Sequence, residues 1–156
     1  MSSDPKAQVV ALLKSIETGD PAAMAVINPR KYIQHNLAVA DGLAGFAAAV
    51  QALPKGATKV NTVRVFRDGD FVFAHTDYDF FGPKSGFDIY RFEDGRIVEH
   101  WDNLQPTPPT PNPSGRTMFD GPTTARDLDK TELNKKLVAA FVDDILVHGR
   151  MDRLSG

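Results

Sequence analysis

This sequence predicts an α+β domain, with helices first and then an antiparallel meander curving beside them. Three observations carry that prediction. Apolar residues recur at helical spacing up to about residue 53, and from Lys59 to Leu104 they alternate with period two. After Gln105 the segment QPTPPTPNPSGR holds five prolines and suits neither a helix nor a central strand.

The elements follow in order. Asp4-Pro5 is a good helix start, with aspartate as cap and proline where its missing N–H costs nothing. Val9, Val10, Leu12, Leu13 and Ile16 then make one apolar face, and Gly19-Asp20-Pro21 ends it. Ala22 to Ile27 suits a short helix, and Lys31 to Asn36 a short extended piece. Asp41 to Leu53 is an alanine-rich helix that Asp41 can cap, stopped by Pro54 and Gly56. Val60–Arg67, Phe71–Phe81, Gly86–Phe92 and Arg96–Leu104 read as successive strands, separated by Asp68-Gly69-Asp70, Gly82-Pro83-Lys84 and Asp94-Gly95. Gln105 to Thr124 reads as a linker or surface strap. A last amphipathic helix is expected from about Thr131 to His148, with capping-box spacing between Asp129 and Glu132. Its apolar residues echo those of the first helix.

Composition narrows the function. The 156 residues carry a net charge of −2, which gives no reason to expect nucleic acid or an anionic membrane as partner. The absence of cysteine excludes disulfides, thiol nucleophiles and thiolate metal sites. The opening MSSDPKAQ has neither the basic nor the apolar region of a leader, and no apolar run approaches the ~20 residues that span a bilayer. A soluble, cytoplasmic protein is expected.

The candidate chemistry concentrates in Gly86 to Gln105. A two-residue Asp94-Gly95 loop would set Asp88 beside Trp101. A three-residue Glu93-Asp94-Gly95 loop would set Asp88 beside His100 and gather Asp88, Tyr90, Phe92, Val98, His100 and Asp102 on one face. The longer loop is favoured, because glycine as third loop residue is a common hairpin solution. Carboxylates, imidazole and phenol amid apolar side chains are what acid–base work on a small organic molecule needs. His75 and Phe73 share a face of the neighbouring strand, and His35 and Asn36 arrive from the short extended piece.

YIQHN at 32–36, the FVFAHT strand and DIYRFEDGRIVEHWDNLQ at 88–105 resemble the SnoaL-like polyketide cyclase group of the nuclear-transport-factor-2-like superfamily. The resemblance implies a conical barrel, a curved antiparallel sheet wrapped around N-terminal helices with a pocket at one end. The resemblance covers Lys6 to Gln105, so residues 1–105 are expected as the barrel; the prolines make 106–130 a linker or strap, and 131–156 resembles the opening helix of a second such domain. The resemblance also implies homodimers through the outer face of the sheet. SnoaL-type cyclases keep a pocket histidine and an acid/base aspartate fourteen residues apart; Asp88 and Asp102 have that spacing, so Asp102 matches the acid/base and Asp88 fills the histidine position. In ketosteroid isomerases of the superfamily, the position matching Asp88 is a protonated aspartate that donates to an oxyanion.

The expected site therefore has Asp102, His100, Asp88 and His35 as catalytic candidates and Asn36, Tyr32, Tyr90, His75, Phe73 and Phe92 as substrate-binding ones. The expected activity is cofactor-independent cyclisation, isomerisation or dehydration of a small apolar or carbonyl-containing molecule. The alternative is a non-catalytic ligand-binding or dimerisation module. No histidine and carboxylate pair has zinc-type local spacing, so no metal is expected.

Overall fold

The computed structural model describes residues 4–154. Residues 1–3, part of the segment expected to lack a leader, and 155–156 lie outside the described residues. The chain forms two compact units, residues 1–123 and 124–156.

In the first unit the order is α1 (Pro5–Thr18), β1 (Ile33–Gln34), α2 (Gly42–Gln51), β2 (Lys59–Asp68), β3 (Phe71–Asp79), β4 (Pro83–Glu93) and β5 (Arg96–Pro106), with a 3₁₀ turn at Ala23–Val26. Asp4 caps α1 by accepting the Lys6 N–H, and Gly19 ends it in the left-handed region at φ 71°. Asp41 sits at the N-cap of α2 but makes no side-chain cap; its Oδ1 instead accepts the Gln34 N–H at 2.7 Å. That bond ties the short extended piece to the helix that follows it.

The sheet order is β1-β5-β4-β3-β2, antiparallel throughout except that β1 adds to the edge parallel to β5. β4 begins at Pro83, a residue expected to lie in the break; proline is tolerated as the first residue of a strand. Val9, Leu12 and Leu13 of α1 and Phe46 of α2 pack with Val72, Ala74, Tyr78, Tyr90 and Ile97 in one core. The sheet is curved and unclosed, with the helices on its inner face. It is an α+β cone of the nuclear-transport-factor-2-like kind.

The central hairpin corrects both expected registers. Asp94 and Gly95, at φ 51° and 74°, make a two-residue turn that pairs Glu93 with Arg96. One step further, Phe92 pairs with Ile97 but Arg91 pairs with Glu99, so Val98 is an extra residue in β5. This bulge advances the register, and Asp88 lies opposite Asp102 rather than His100 or Trp101. The expected set of residues still shares the inner face, because the bulge restores the parity that the shorter turn had removed.

The proline-rich segment is a strap. Arg64 donates to the carbonyls of Phe119, Asp120, Gly121 and Pro122, and its Nη1 donates to His75 Nδ1 at 2.9 Å. His75 Nε2–H then donates to Ser85 Oγ, and the ring stacks between Phe87 and Phe119. Both ring nitrogens are committed to the neutral form. Burial, helped by the Arg64 charge, pushes the His75 pKa below the ordinary imidazole value, with Asp77 opposing. A depressed histidine pKa means the unfolded chain binds more protons, so stability is full above the unfolded value and falls as pH drops through the folded one. The denaturation midpoint is expected to decline between about pH 7 and pH 5. In His75→Gln this histidine-linked part of the slope should vanish, which urea titrations at a series of pH values would reveal.

In the second unit α3 (Thr131–Phe141) continues as a π-helical turn over Val142–Val147. The expected capping box is not formed: Lys130 occupies the N-cap without a side-chain cap. Leu133, Leu137, Val138 and Phe141 are exposed.

Candidate functional site

Alternation along β4 and β5 turns Asp88, Tyr90, His100 and Asp102 to the inner face, where Asp88 pairs with Asp102 and Tyr90 with His100 across the ladder. β1 sets Gln34 beside His100, and β3 contributes Tyr78. Together they line a cavity of 340 Å³ whose other walls include Ile16, Phe46, Val50, Leu53, Phe80 and Leu104. Among the described residues, no lysine or arginine lines it. A groove of 490 Å³ beside α1 and the β4–β5 turn is larger, but five of its eleven lining residues are alanines and its charged residues Asp20, Asp94 and Arg96 are exposed.

Each polar side chain in the cavity is held. Tyr78 donates to Asp88 Oδ2 at 2.9 Å, and Asn36 Nδ2 donates to Asp102 Oδ2 at 2.6 Å. His100 Nδ1 lies 2.9 Å from Gln34 Oε1, and His100 Nε2 lies 3.3 Å from Asp88 Oδ1. The Tyr90 ring stacks on the imidazole at 4.5 Å. Asp88 and His100 are 3% and 6% exposed, so these bonds replace water almost entirely. Burial drives the Tyr78 and Tyr90 phenols well above their ordinary range, and the Asp88 carboxylate adds to it. Both phenols are therefore protonated donors at neutral pH.

The expected residues divide between two faces. Asp88, His100, Asp102, Asn36 and Tyr90 meet at the cavity. Tyr32 and Phe92 are buried in the core beside it, with Tyr32 edge-on to Phe46. His35, His75 and Phe73 are corrections. His35 points outward, its Nε2 2.9 Å from Glu99 Oε1 and its ring stacked on Trp101 at 4.6 Å. The two-residue strand β1 explains this: with Gln34 directed at His100, the next residue faces the other way. His75 belongs to the strap contact, and Phe73 stacks on Phe66 on the same outer face. Asn36 lines the cavity and anchors Asp102 through Nδ2.

Gln34 and Tyr78 were missed. The signal for Tyr78 was present, since Phe73 and His75 on one face of β3 require Tyr78 on the other. Gln34 carried no comparable signal, because its place depends on β1 joining the sheet edge in parallel.

Residues 9–100 match the model of the SnoaL-like domain, more than half of the chain. The chain belongs to the SnoaL-like domain family. No curated protein matches this SnoaL-like sequence. Among solved structures, IdmH of Streptomyces antibioticus, described provisionally as a polyketide cyclase, is 19% identical; the match covers 65% of this chain and 91% of IdmH, with a TM-score of 0.53. A protein of Kribbella flavida described provisionally as a ketosteroid isomerase is 14% identical over 78% of this chain and 90% of its own, TM-score 0.56. An NTF2-like protein of Cytophaga hutchinsonii is 15% identical over 67% and 91%, TM-score 0.55. Identities this low establish the SnoaL-like, NTF2-like fold alone.

Proposed function

We propose that the cavity performs acid–base proton transfer next to a carbonyl group of a small, largely apolar molecule, without a cofactor. One observation carries this reading: Asp88, His100 and Asp102 converge in a cavity whose remaining walls are largely apolar and, among the described residues, hold no lysine or arginine. The descriptions given to IdmH and the Kribbella protein, a cyclase and an isomerase, are of this reaction class.

In this reading Asp102 is the base. It is the least buried of the three, and Asn36 fixes one of its oxygens, leaving the other for a substrate C–H. The Asp88–His100 pair carries a proton between Oδ1 and Nε2 and supplies it, or a hydrogen bond, to the developing enolate oxygen. Tyr78 stabilises the Asp88 carboxylate as that proton leaves. The test is hydrogen–deuterium exchange at carbons beside the carbonyl in a panel of cyclic ketones that bind. Exchange well above the buffer rate is expected; binding without exchange for every ketone would favour a ligand-binding module.

The outer face suggests a second copy of the chain as partner. Phe66, Phe71, Phe87 and Ile89 are exposed there beside Phe73 and Trp101, a contiguous apolar patch of the kind that marks interaction sites. Two such patches are self-complementary across a two-fold axis, as the family resemblance implies. Ile89→Arg is expected to convert a dimer into a monomer in sedimentation experiments, and an unchanged mass for parent and variant would remove the idea. The same proposal takes α3 as the opening helix of a further SnoaL-like domain, since its apolar residues echo those that α1 buries.

A further inference from the structure

We propose that Asp88, His100 and Asp102 bind a transition-metal dication, Zn²⁺ fitting best, in the apolar-walled cavity of the first unit. The argument starts from Gln34. Its Oε1 accepts the Asn36 backbone N–H at 3.0 Å, which fixes the orientation of the amide. That same oxygen, an acceptor only, faces His100 Nδ1 at 2.9 Å, so Nδ1 carries the hydrogen. In a neutral imidazole the lone pair is then on Nε2, directed at Asp88 Oδ1 3.3 Å away. Nε2 and Oδ1 are thus two donor atoms set side by side where one cation could take both.

The surroundings are arranged for one. Each of the three side chains has its outward atom held by a different neutral group: Gln34 on His100, Tyr78 on Asp88, Asn36 on Asp102. Partners of this kind orient metal ligands and fix the tautomer of a ligating histidine. One donor atom from each residue lies within 4.8 Å of the others. Ligands about 2.1 Å from a tetrahedral zinc are roughly 3.4 Å apart, which the His100–Asp88 separation already matches. Two carboxylates meet no lysine or arginine in the lining, so a dication would offset their charge where no side chain does.

One imidazole and two carboxylates make a mixed nitrogen–oxygen set suited to zinc rather than to magnesium or calcium, which take all-oxygen shells. Three protein ligands would leave a fourth position facing the apolar cavity. The proposal concerns occupancy, and it stands whether or not the cavity is catalytic.

The test is calorimetric titration of the metal-stripped full chain with ZnCl₂. One ion per chain is the expected result. His35→Gln, on the outer face, should leave affinity unchanged, whereas His100→Gln should abolish the site. Should His100→Gln fail to fold, Gln34→Leu carries the test: loss of the tautomer lock is expected to weaken binding by about 10–100-fold. No saturable binding up to millimolar Zn²⁺, or binding unaffected by Gln34→Leu, would overturn the proposal.

Discussion

Asp102→Asn is expected to lower the rate of exchange beside a bound ketone's carbonyl by about 10²–10⁴-fold, the usual contribution of a general base. The substitution is isosteric, and the asparagine oxygen can still accept from Asn36 Nδ2, so folding and ligand affinity should change little. Loss should fall on kcat with KM nearly unchanged, because the missing group acts in the transition state. Asp88→Asn gives a second reading. Its amide can donate to His100 Nε2 while its oxygen accepts from Tyr78, so the network is satisfied but the shared proton is gone. Proton-detected NMR in deuterated buffer measures both. Exchange within twofold of the parent in Asp102→Asn would end its assignment as base.

Gly86→Ala should be the most damaging small substitution in the sheet. A Cβ there would lie 2.4 and 2.8 Å from two Tyr78 ring carbons and 2.9 Å from a Leu104 methyl. Tyr78 is 3% exposed and packs edge-on to Phe80, so its ring cannot swing aside without moving the core. Overpacking of this kind costs about 1–3 kcal/mol. The displaced ring also carries the hydroxyl that holds Asp88, so the variant should lose activity beyond its loss of stability. Thermal denaturation and the exchange assay, run together at a temperature where the variant is folded, separate the two effects. A variant as stable as the parent would mean that Tyr78 does not lie where the Gly86 surface requires it.

Much of this site could be read from alternation. Asp88, Tyr90, His100 and Asp102 are separated by even steps within their strands, and even steps keep one face. The register could not be read, because the bulge at Val98 sits in an apolar run, Ile97-Val98, that looks like ordinary strand. Both residues are fully buried, so no polar or glycine residue marks the irregularity. His35 was misplaced for a different reason. Resemblance suggested the pocket, whereas alternation from Gln34 would have sent it outward to Glu99 and Trp101. The strap was expected as a surface segment, but the arginine that binds it lies some 55 residues earlier in sequence, beyond any local signal.

The two-residue turn and the Val98 bulge together give the hairpin something like a reading frame of two. Each alone would exchange the outward and inward sides of β5 beyond it, sending Trp101 to the cavity and Asp102 to the outside. A turn made one residue longer at the expense of the strands, with Phe92 opposite Arg96, would keep the polar cavity only without the bulge. A chain that lost Val98 would keep the pairs from Arg91–Glu99 onward. A residue added within the turn would likewise leave Glu93 opposite Arg96, so changes of length are tolerable at the turn or at the bulge, whereas one residue inserted between Glu99 and His100 would turn the pocket inside out while leaving the sheet intact.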